Sequence, residues 1–317
     1  MKHFALFCVL FLFAVSLSAA ELSLKKTDEG YDVLLGGTLF ASYLTDYKGT
    51  PIVYPIYGPG GQKMTRDFPM SEHSDNSEAK DHPHHRSLWF THGEVNDCNF
   101  WMLNAQKIVH RKFDKTESSG SIAEIITQND WLDKKEQPLC QDVRTLRFGQ
   151  LNGKNGAVRY IDFDITVKAV QDSVIFRDTK EGTFGIRVPG TMDLTAKKRN
   201  PLWGGHIVNA EGIKDEETWG KRSAWVDYFG PVDGKTAGIA VLNHPSSFRY
   251  PTYWHVRDYG LYAANPFGIH DFEKKSGQPG EHKLKNGETF TLRYRVLFHN
   301  GTADEADIAD AFRQYAE

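Results

Sequence analysis

Three histidines and an arginine lie within five residues of this sequence, at His82, His84, His85 and Arg86. Imidazole titrates near neutral pH and binds metal ions, so such a group is typical of an active or binding site. A solvated, histidine-rich loop is the alternative. We favour a site because the residues that follow, beginning with Ser87-Leu88-Trp89, are largely aromatic and apolar.

The spacing of these histidines limits what they can do together. In an extended strand a spacing of two places His82 and His84 on one face and His85 on the other. Two histidines chelate a metal only when a third ligand joins them. The sequence therefore predicts no defined metal site, although it leaves a divalent metal open. The third ligands to consider are His92, Glu181 and His206.

Acid–base chemistry is supported about as well as metal binding, because histidine with a glutamate partner transfers protons near neutral pH. Glu181 would act as a base or orient a histidine, and Arg86 would hold a carboxylate or stabilise an oxyanion. The candidate catalytic residues are His84, His85, His206, His255 and Glu181.

Further segments combine polar, aromatic and glycine residues, and the longest covers residues 243–260. Tryptophan and tyrosine stack on sugar rings, while arginine, histidine and asparagine bind hydroxyls or carboxylates; a concave site mixes both. His255 and Arg257 would share a strand face, since their spacing is two. The candidate substrate-binding residues are Arg86, His92, Trp203, Trp254, Arg257 and Asn265.

The elements that must position these residues are mostly β-strands. Apolar and polar residues alternate over residues 161–169, and over residues 289–298 with Leu297 as an apolar outlier. Asp233-Gly234 and Asn286-Gly287 are typical of hairpin turns. Weaker patterns predict strands at residues 31–35, 38–44, 108–113, 122–128, 143–148, 173–178, 184–188 and 237–243.

Helical patterns are scarce. Thr302 and Glu305 form a capping-box pattern, and apolar residues at helical spacing follow it, which predicts a C-terminal helix. Many strands with one terminal helix predict an all-β fold, a large antiparallel β-sandwich. Strand–helix alternation is missing from the sequence, which argues against Rossmann and TIM-barrel folds. Residues 21–317 are interpreted as a single domain.

Composition narrows the partners and the compartment. The 317 residues carry a net charge of -3 without a basic stripe, so nucleic acid is not expected as a partner. Residues 1–20 have a basic start, an apolar run and small residues, which predicts a secretory signal peptide. We therefore expect an exported protein, periplasmic or extracellular, with no membrane span in the mature chain. An uncleaved N-terminal anchor is the alternative.

Other patterns give weaker signals. Cys98 and Cys140 could form one disulfide after export, and the sequence leaves this open. Asp178 and Glu181 could form a carboxylate pair, although a turn at the end of a strand is favoured for both. Asp227 is interpreted as structural. The sequence has no Gly-x-Ser-x-Gly elbow, no Walker loop and no His-Glu-x-x-His motif.

Over nearly all of the predicted mature chain the sequence resembles the PmoA-like family of bacterial domains of unknown function. The resemblance implies a β-sandwich similar to galactose mutarotase-like folds and a role in carbohydrate metabolism, without a defined reaction. One departure is Asp97-Cys98-Asn99, where the family pattern has Gly and Asp, so Cys98 is not expected in a shared mechanism. The matching segments are residues 81–89, 92–96, 100–101, 180–182, 203–204, 219–230 and 244–268.

Two main functions follow from these patterns. The first is an enzyme that acts on a sugar or glycoside by His/Glu acid–base chemistry, either epimerase-like or as a lyase or hydrolase on oxidised sugars. The second is a non-catalytic carbohydrate-binding module, and a structural envelope protein is a third reading with less support. In the enzyme, Arg86 and Arg257 would hold anionic groups or hydroxyls. Convergence of His84, His206 and His255 in one pocket would favour the enzyme.

Overall fold

The computed structural model describes residues 20–72 and 77–317. The predicted signal peptide lies outside the described residues except for Ala20. In chain order the strands are β1 (Leu22–Lys26), β2 (Gly30–Leu35), β3 (Thr38–Leu44), β4 (Ile52–Ile56), β5 (Leu88–His92), β6 (Ile108–Ser119), β7 (Ile122–Leu132), β8 (Pro138–Gly153), β9 (Gly156–Ala169), β10 (Val174–Phe176), β11 (Gly182–Arg187), β12 (His206–Asn209), β13 (Trp225–Val232), β14 (Lys235–Asn243), β15 (Tyr253–Val256), β16 (Leu261–Asn265), β17 (His282–Leu284) and β18 (Thr289–Asn300). The helices are α1 (Ile269–Glu273) and α2 (Ile308–Ala316), and 3₁₀ turns cover Leu194–Lys198 and Asp215–Thr218.

Two eight-stranded sheets make up most of the described chain. The first sheet has the order β1-β2-β3-β4-β5-β11-β16-β15, and the second has the order β12-β13-β14-β18-β9-β8-β7-β6. Neighbouring strands pair antiparallel throughout, and β10 and β17 form a small third sheet. The predicted all-β antiparallel sandwich is therefore confirmed.

The two sheets share one hydrophobic core. Phe184 of the first sheet stacks on Tyr294 of the second, with ring centroids 4.6 Å apart, and meets Phe163 edge-on at 5.2 Å. Because side chains alternate along a strand, every second residue of the first sheet faces away from this core. We call that surface the outer face of the first sheet.

The strands predicted from clean alternation are present and longer than expected. β9 buries Ile161, Phe163 and Ile165 in the shared core, as the period of two requires. Leu297, the outlier in β18, points the other way and packs beneath α2 beside Ile308. The apolar outlier thus marks the place where a helix covers the second sheet.

The two turn predictions have different outcomes. Asp233 and Gly234 have φ values of 50° and 74° and join β13 to β14, which matches a two-residue hairpin that needs φ > 0 at both positions. Asn286-Gly287 lies in a turn between β17 and β18, but β17 pairs with β10, so the hairpin prediction there is wrong.

The C-terminal helix is confirmed, but it begins later than the capping box suggests. The Glu305 carboxylate accepts hydrogen bonds from the backbone N–H and the hydroxyl of Thr302 at 2.8 and 3.1 Å. This arrangement closes a turn that precedes the helix, and α2 starts only at Ile308. The helix α1 was not predicted.

Two further expectations concern the cysteines and the membrane. Cys98 and Cys140 are both buried and both free, so they form no disulfide with each other. Among residues 20–72 and 77–317, no helix has the length and apolar character that a bilayer crossing requires.

Candidate functional site

A row of side chains crosses the outer face of the first sheet. The strand register pairs Trp89 with Gly185, Gly185 with Ala263, and Ala263 with His255. A Cβ atom at Gly185 would lie 2.6 Å from the indole of Trp89, so the indole lies directly over this glycine. The row therefore has an aromatic ring at each end and the two smallest residues between them, across three strand spacings or about 14 Å.

A second row contributes two arginines. Arg187 pairs with Leu261, and the backbone N–H of Arg257 donates to the Leu261 carbonyl at 2.7 Å. Both guanidinium groups lie against the ring of Tyr259, at 5.1 and 5.4 Å from its centroid. Cations favour the face of an aromatic ring, so Tyr259 helps to hold both guanidinium groups over the outer face of the first sheet.

The histidine cluster folds onto this surface as a turn. The backbone N–H of His85 donates to the carbonyl of His82 at 3.0 Å, and His82 has a φ of 43°. The imidazole centroids of His84 and His85 are consequently 4.4 Å apart, and those of His82 and His85 are 5.0 Å apart. The expectation that His85 would face away from the other two assumed an extended strand and is wrong.

His85 joins the cluster to the sheet. Its ring stacks on Trp89 at 5.5 Å and meets Trp101 edge-on at 5.9 Å. Arg187 lies 2.9 Å from His85 Nδ1, and because a guanidinium only donates, Nδ1 is the acceptor. Burial, followed by the charge of Arg187, lowers the pKa of His85 well below its usual value. His85 is therefore neutral, and its ring is held by contacts with Trp89, Trp101 and Arg187.

Asp81 neutralises part of the positive charge nearby. Its carboxylate lies 2.8 Å from Arg66 and 2.9 Å from Arg187, and both arginines are almost fully buried. Burial acts to raise the pKa of Asp81, but Arg187, His82 and Arg66 together outweigh it and lower that pKa. The Asp81 carboxylate thus forms ion pairs with two buried guanidinium groups.

His255 has the geometry of a proton acceptor. Its Nδ1 lies 2.8 Å from the carbonyl oxygen of Lys180, which can only accept, so Nδ1 carries the hydrogen. Its Nε2 is buried and has no hydrogen-bond partner among the described residues. Burial lowers the pKa of His255 to about 4, while the charge of Glu181 opposes this shift. At neutral pH the imidazole is uncharged and presents a free lone pair at Nε2.

Several donors on the same face also have no partner. The indole nitrogens of Trp89 and Trp101 and the hydroxyl of Thr91 are buried, and none has a hydrogen-bond partner in the described part of the chain. Buried polar groups in native proteins nearly always bond to protein, water or ligand. A polar molecule that covers this face would meet three donors together with the acceptor of His255.

Glu181 lies at the start of β11, beside this face. Its side chain is partly exposed, and its carboxylate lies 3.0 Å from the ammonium group of Lys180. Its charge acts to raise the pKa values of His84, His255 and Tyr259. Burial dominates at His84 and lowers its pKa to about 4. Glu181 is therefore the carboxylate that the histidines of both segments share.

The structure brings six of the predicted site residues into one region. Arg86 is almost fully buried: its Nη1 lies 3.4 Å from the Tyr47 carbonyl, and its Nε has no partner among the described residues. Burial lowers the pKa of Arg86 to about 10. The six residues are His84, His85, Arg86, Glu181, His255 and Arg257.

His206 and Trp203 lie elsewhere. His206 begins β12, the edge strand of the second sheet, where its side chain is 67% exposed and 3.5 Å from Asp215. A surface cavity of about 460 Å³ adjoins it, lined largely by lysine and acidic side chains. Trp203 precedes the same strand and is half-buried. Of the three histidines whose convergence would favour the enzyme, only His84 and His255 therefore lie in one region, and His206 does not.

Three other predicted ligand-binding residues are committed to the fold. His92 lies in the shared core between Phe176 and Phe267, and its Nε2 donates to a backbone carbonyl at 2.8 Å. Trp254 is in the same core, with its indole N–H bonded to a backbone carbonyl at 3.0 Å. Asn265 uses both amide atoms within the protein. None of these groups is available to a ligand on the outer face.

The sequence patterns did not single out several members of the site. The signal for Arg187 was present, because Thr183, Gly185 and Arg187 alternate with apolar residues along β11. Nothing in the sequence placed Tyr259 or Trp101 beside the histidines. The additional residues of the site are Asp81, Trp89, Thr91, Trp101, Arg187 and Tyr259.

No group of three His, Cys, Asp or Glu side chains among residues 20–72 and 77–317 is arranged to hold a metal ion. The histidines of the cluster instead stack on each other and on aromatic rings. The structure thus supplies no ligand set for the divalent metal that the sequence left open.

Acid should destabilise this protein through its buried histidines. Burial lowers the pKa values of His84, His92 and His255 to about 4, whereas an unfolded chain has a histidine pKa near 6.5. Between these values the unfolded chain binds more protons, so the free energy of unfolding falls as pH falls from about 6.5 to about 4. The fully buried His92 and His255 each contribute on the order of 1–3 kcal/mol. Melting temperatures from pH 7.5 to 4.5 test this, and a flat profile would contradict it.

A family model described as "Family of unknown function (DUF6807)" matches residues 30–313. No curated protein sequence matches the chain.

The chain is also similar to several solved structures at low sequence identity. Galactose 1-epimerase from Lactobacillus acidophilus is 9% identical, with a TM-score of 0.37 and coverage of 89% of this chain and 100% of that one. A galactose mutarotase-like protein from Lactobacillus casei is 10% identical, with a TM-score of 0.35 and coverage of 88% and 100%.

A 4-alpha-glucanotransferase from Thermococcus litoralis is 8% identical, with a TM-score of 0.32 and coverage of 89% of this chain but only 40% of that one. The chain thus spans less than half of the glucanotransferase. All these likenesses are too distant to carry an activity.

Proposed function

Because the chain belongs to the DUF6807 family, whose function is unknown, we propose its function from its own site: it binds a sugar on the outer face of the first sheet and takes a proton from it with His255. The observation that carries this proposal is the buried, unpartnered Nε2 of His255, held beside the Glu181 carboxylate and opposite a set of unpartnered donors. The PmoA-like relationship and the galactose mutarotase-like resemblance stay predictions that agree with a sugar ligand.

The proton transfer follows from the state of the imidazole. At neutral pH His255 is unprotonated at Nε2, so it can accept a proton from a sugar hydroxyl or from a carbon next to a carbonyl group. The Lys180 carbonyl keeps the ring in one orientation through Nδ1, and the Glu181 carboxylate stabilises the imidazolium that forms. Negative charge left on the sugar oxygen would meet the indole N–H groups of Trp89 and Trp101.

Three reaction classes can use this base. Removal of the proton from an anomeric hydroxyl lets that oxygen form a carbonyl group while the bond from C1 to the ring oxygen breaks and the ring oxygen takes a proton from water, which leads to epimerase-like chemistry. Removal of a proton from the carbon next to a carboxyl group forms a carbon–carbon double bond as the glycosidic oxygen leaves the neighbouring carbon and takes up a proton, which is lyase-like cleavage of an oxidised sugar. A hydrolase would use the same base on water. The proposed reaction is therefore defined by its base rather than by its product.

The experiment compares binding with turnover across a panel of neutral and oxidised sugars and their methyl glycosides. Calorimetry measures binding, and proton NMR detects ring opening, epimers or cleavage products. Glu181→Gln removes the carboxylate charge that stabilises the imidazolium while keeping the shape of the side chain. We expect binding within a few-fold of wild type and a loss of turnover on the order of 10²-fold.

Glu117→Gln is the matched control, because Glu117 is an exposed glutamate on β6, on the second sheet, paired with Lys115. It should leave both binding and turnover unchanged. Wild-type binding without any product would favour the carbohydrate-binding module instead. Failure to bind any sugar of the panel would contradict the proposal.

The compartment is part of the same proposal. The signal-peptide pattern of residues 1–20 supports export, so we propose that the protein acts in the periplasm or outside the cell. The proposed ligand is therefore a sugar or glycan that is present in that compartment.

A further inference from the structure

Most of the charge around the candidate site is neutralised within the protein. Asp81 serves both Arg66 and Arg187, at 2.8 and 2.9 Å. Glu181 pairs with Lys180 at 3.0 Å. These contacts occupy both carboxylates that lie next to the histidines, so any further cation in the region needs another counter-charge.

Arg257 is the cation that has none. Every other arginine of the described chain donates a hydrogen bond from its guanidinium to a protein acceptor. Arg257 has no such bond and no ion pair within residues 20–72 and 77–317; its half-buried guanidinium lies over the ring of Tyr259 at 5.4 Å. An aromatic face takes none of the five N–H donors of a guanidinium, so all of them are free.

Arg257 lies beside the site, because its guanidinium shares the ring of Tyr259 with Arg187, which contacts His85. It follows β15 two residues after His255, and its charge lies near enough to lower the pKa of that histidine. Arg86 adds to the local excess, because it is buried, has no carboxylate partner in the described chain and lies near enough to lower the pKa of His84. Arg257 and Arg86 are therefore two guanidinium groups of this region that form no ion pair within the described residues.

We propose that the sugar bound at this site carries a carboxylate, held by the Arg257 guanidinium beside Nε2 of His255. This inference rests on the proposed sugar-binding function and names its substrate class. The planar guanidinium matches the two oxygens of a carboxylate with two parallel hydrogen bonds. A neutral sugar would leave the charge of Arg257 uncompensated when the ligand excludes water from it.

A phosphate ester would meet the same guanidinium through the same chemistry. A carboxylate and a phosphate ester differ in size, so their affinities for the site should differ. The experiment therefore includes sugars that carry either group. D-Glucuronate and D-galacturonate are compared with D-glucose and D-galactose, which differ from them only at the carboxylate carbon. Glucose 6-phosphate is the phosphate probe.

Calorimetric titrations of these five sugars into wild type, Arg257→Gln and Arg257→Lys test the inference. A charge-assisted pair of hydrogen bonds makes at least one uronate bind about 10-fold or more tightly than its neutral parent. Arg257→Gln should weaken uronate binding by about 10-fold while changing neutral-sugar binding by less than about two-fold. Arg257→Lys should retain part of the preference, since it keeps the charge but loses the planar fork.

The control is Arg313→Gln, which removes an exposed arginine from α2 on the other sheet and should change neither affinity. Retained binding of the neutral sugar by Arg257→Gln reports that the variant is folded. If neutral sugars bind as tightly as uronates, or if Arg257→Gln leaves uronate binding unchanged, this inference is wrong and the proposed function stands. Tighter binding of the phosphate than of either uronate would also overturn it. If no sugar binds, both this inference and the proposed function are wrong.

Discussion

Replacement of His255 by glutamine should lower turnover by about 10²–10⁴-fold, the range that a positioned general base contributes. The glutamine amide can still donate to the Lys180 carbonyl, which now bonds to Nδ1 at 2.8 Å, but it cannot accept a proton. Binding should change little, so the loss should fall on kcat rather than on KM. Steady-state kinetics on a substrate identified in the sugar panel measures both constants.

The pH profile of the wild type adds a second readout. Burial lowers the pKa of His255 to about 4, so kcat/KM should hold from neutral pH down to about pH 4 and fall below it, as far as the fold survives. A base with the ordinary histidine pKa would instead lose activity near pH 6.5. His206→Gln is the matched control, because His206 is exposed on the edge of the second sheet. A His255→Gln variant with full turnover would remove His255 from the mechanism.

Replacement of Asp142 by alanine should destabilise the protein by about 3–5 kcal/mol, the cost of leaving one member of a buried ion pair without the other. Asp142 is fully buried and accepts from the indole of Trp131 at 2.7 Å, from Asn129 at 2.6 Å, and from Arg144 at 2.9 and 3.0 Å. Without Asp142 the Arg144 guanidinium keeps only two long contacts, of 3.4 and 3.5 Å, to backbone carbonyls.

We expect the loss of Asp142 to affect the site as well, because Arg144 contacts a strand of the first sheet. One of the two long contacts of Arg144 goes to the carbonyl of Phe90, the neighbour of Trp89 on β5. Urea denaturation measures the effect. The control is Asp310→Ala on α2, which removes an exposed pair with Arg313 and should cost less than about 0.5 kcal/mol. A destabilisation of Asp142→Ala below about 1 kcal/mol would show that the buried pair is not essential to the sandwich.

The fold class was predictable from the strands that have one buried and one solvent-exposed face. From Ile161 to the end of β9 every second residue is buried and the others are partly or fully exposed, so the sequence alternates there with a period of two. The strands β5, β11, β15 and β16 gave weak or no signal for the opposite reason. All their residues are buried, because the histidine turn, Trp101 and Tyr259 pack over the outer face of the first sheet. Their few polar residues are therefore buried too, and no exposed positions mark the period of two.

The site was predictable only as a set of residue types. His84, Glu181, His255 and Arg257 were identified because histidine, glutamate and arginine cluster with aromatic residues. His206 satisfied the same criterion and lies on the other sheet. Spacing along the chain carries no information on which distant segments meet, so the sequence could not distinguish these two cases.

The sequence by itself determined the period of its strands, the antiparallel β class and the types of side chain available for proton transfer. Only the tertiary structure decided which face each residue occupies. Trp89 and His92 are three residues apart in one strand, yet Trp89 faces the site and His92 faces the core. In a strand the side chains of adjacent residues point to opposite faces of the sheet. The second sheet packs against one of these faces, and that packing decides which side chains lie in the core. On the opposite face, contacts with Trp219, Phe272 and the Lys180 carbonyl surround His255. Burial there lowers its pKa to about 4, which makes it a neutral acceptor.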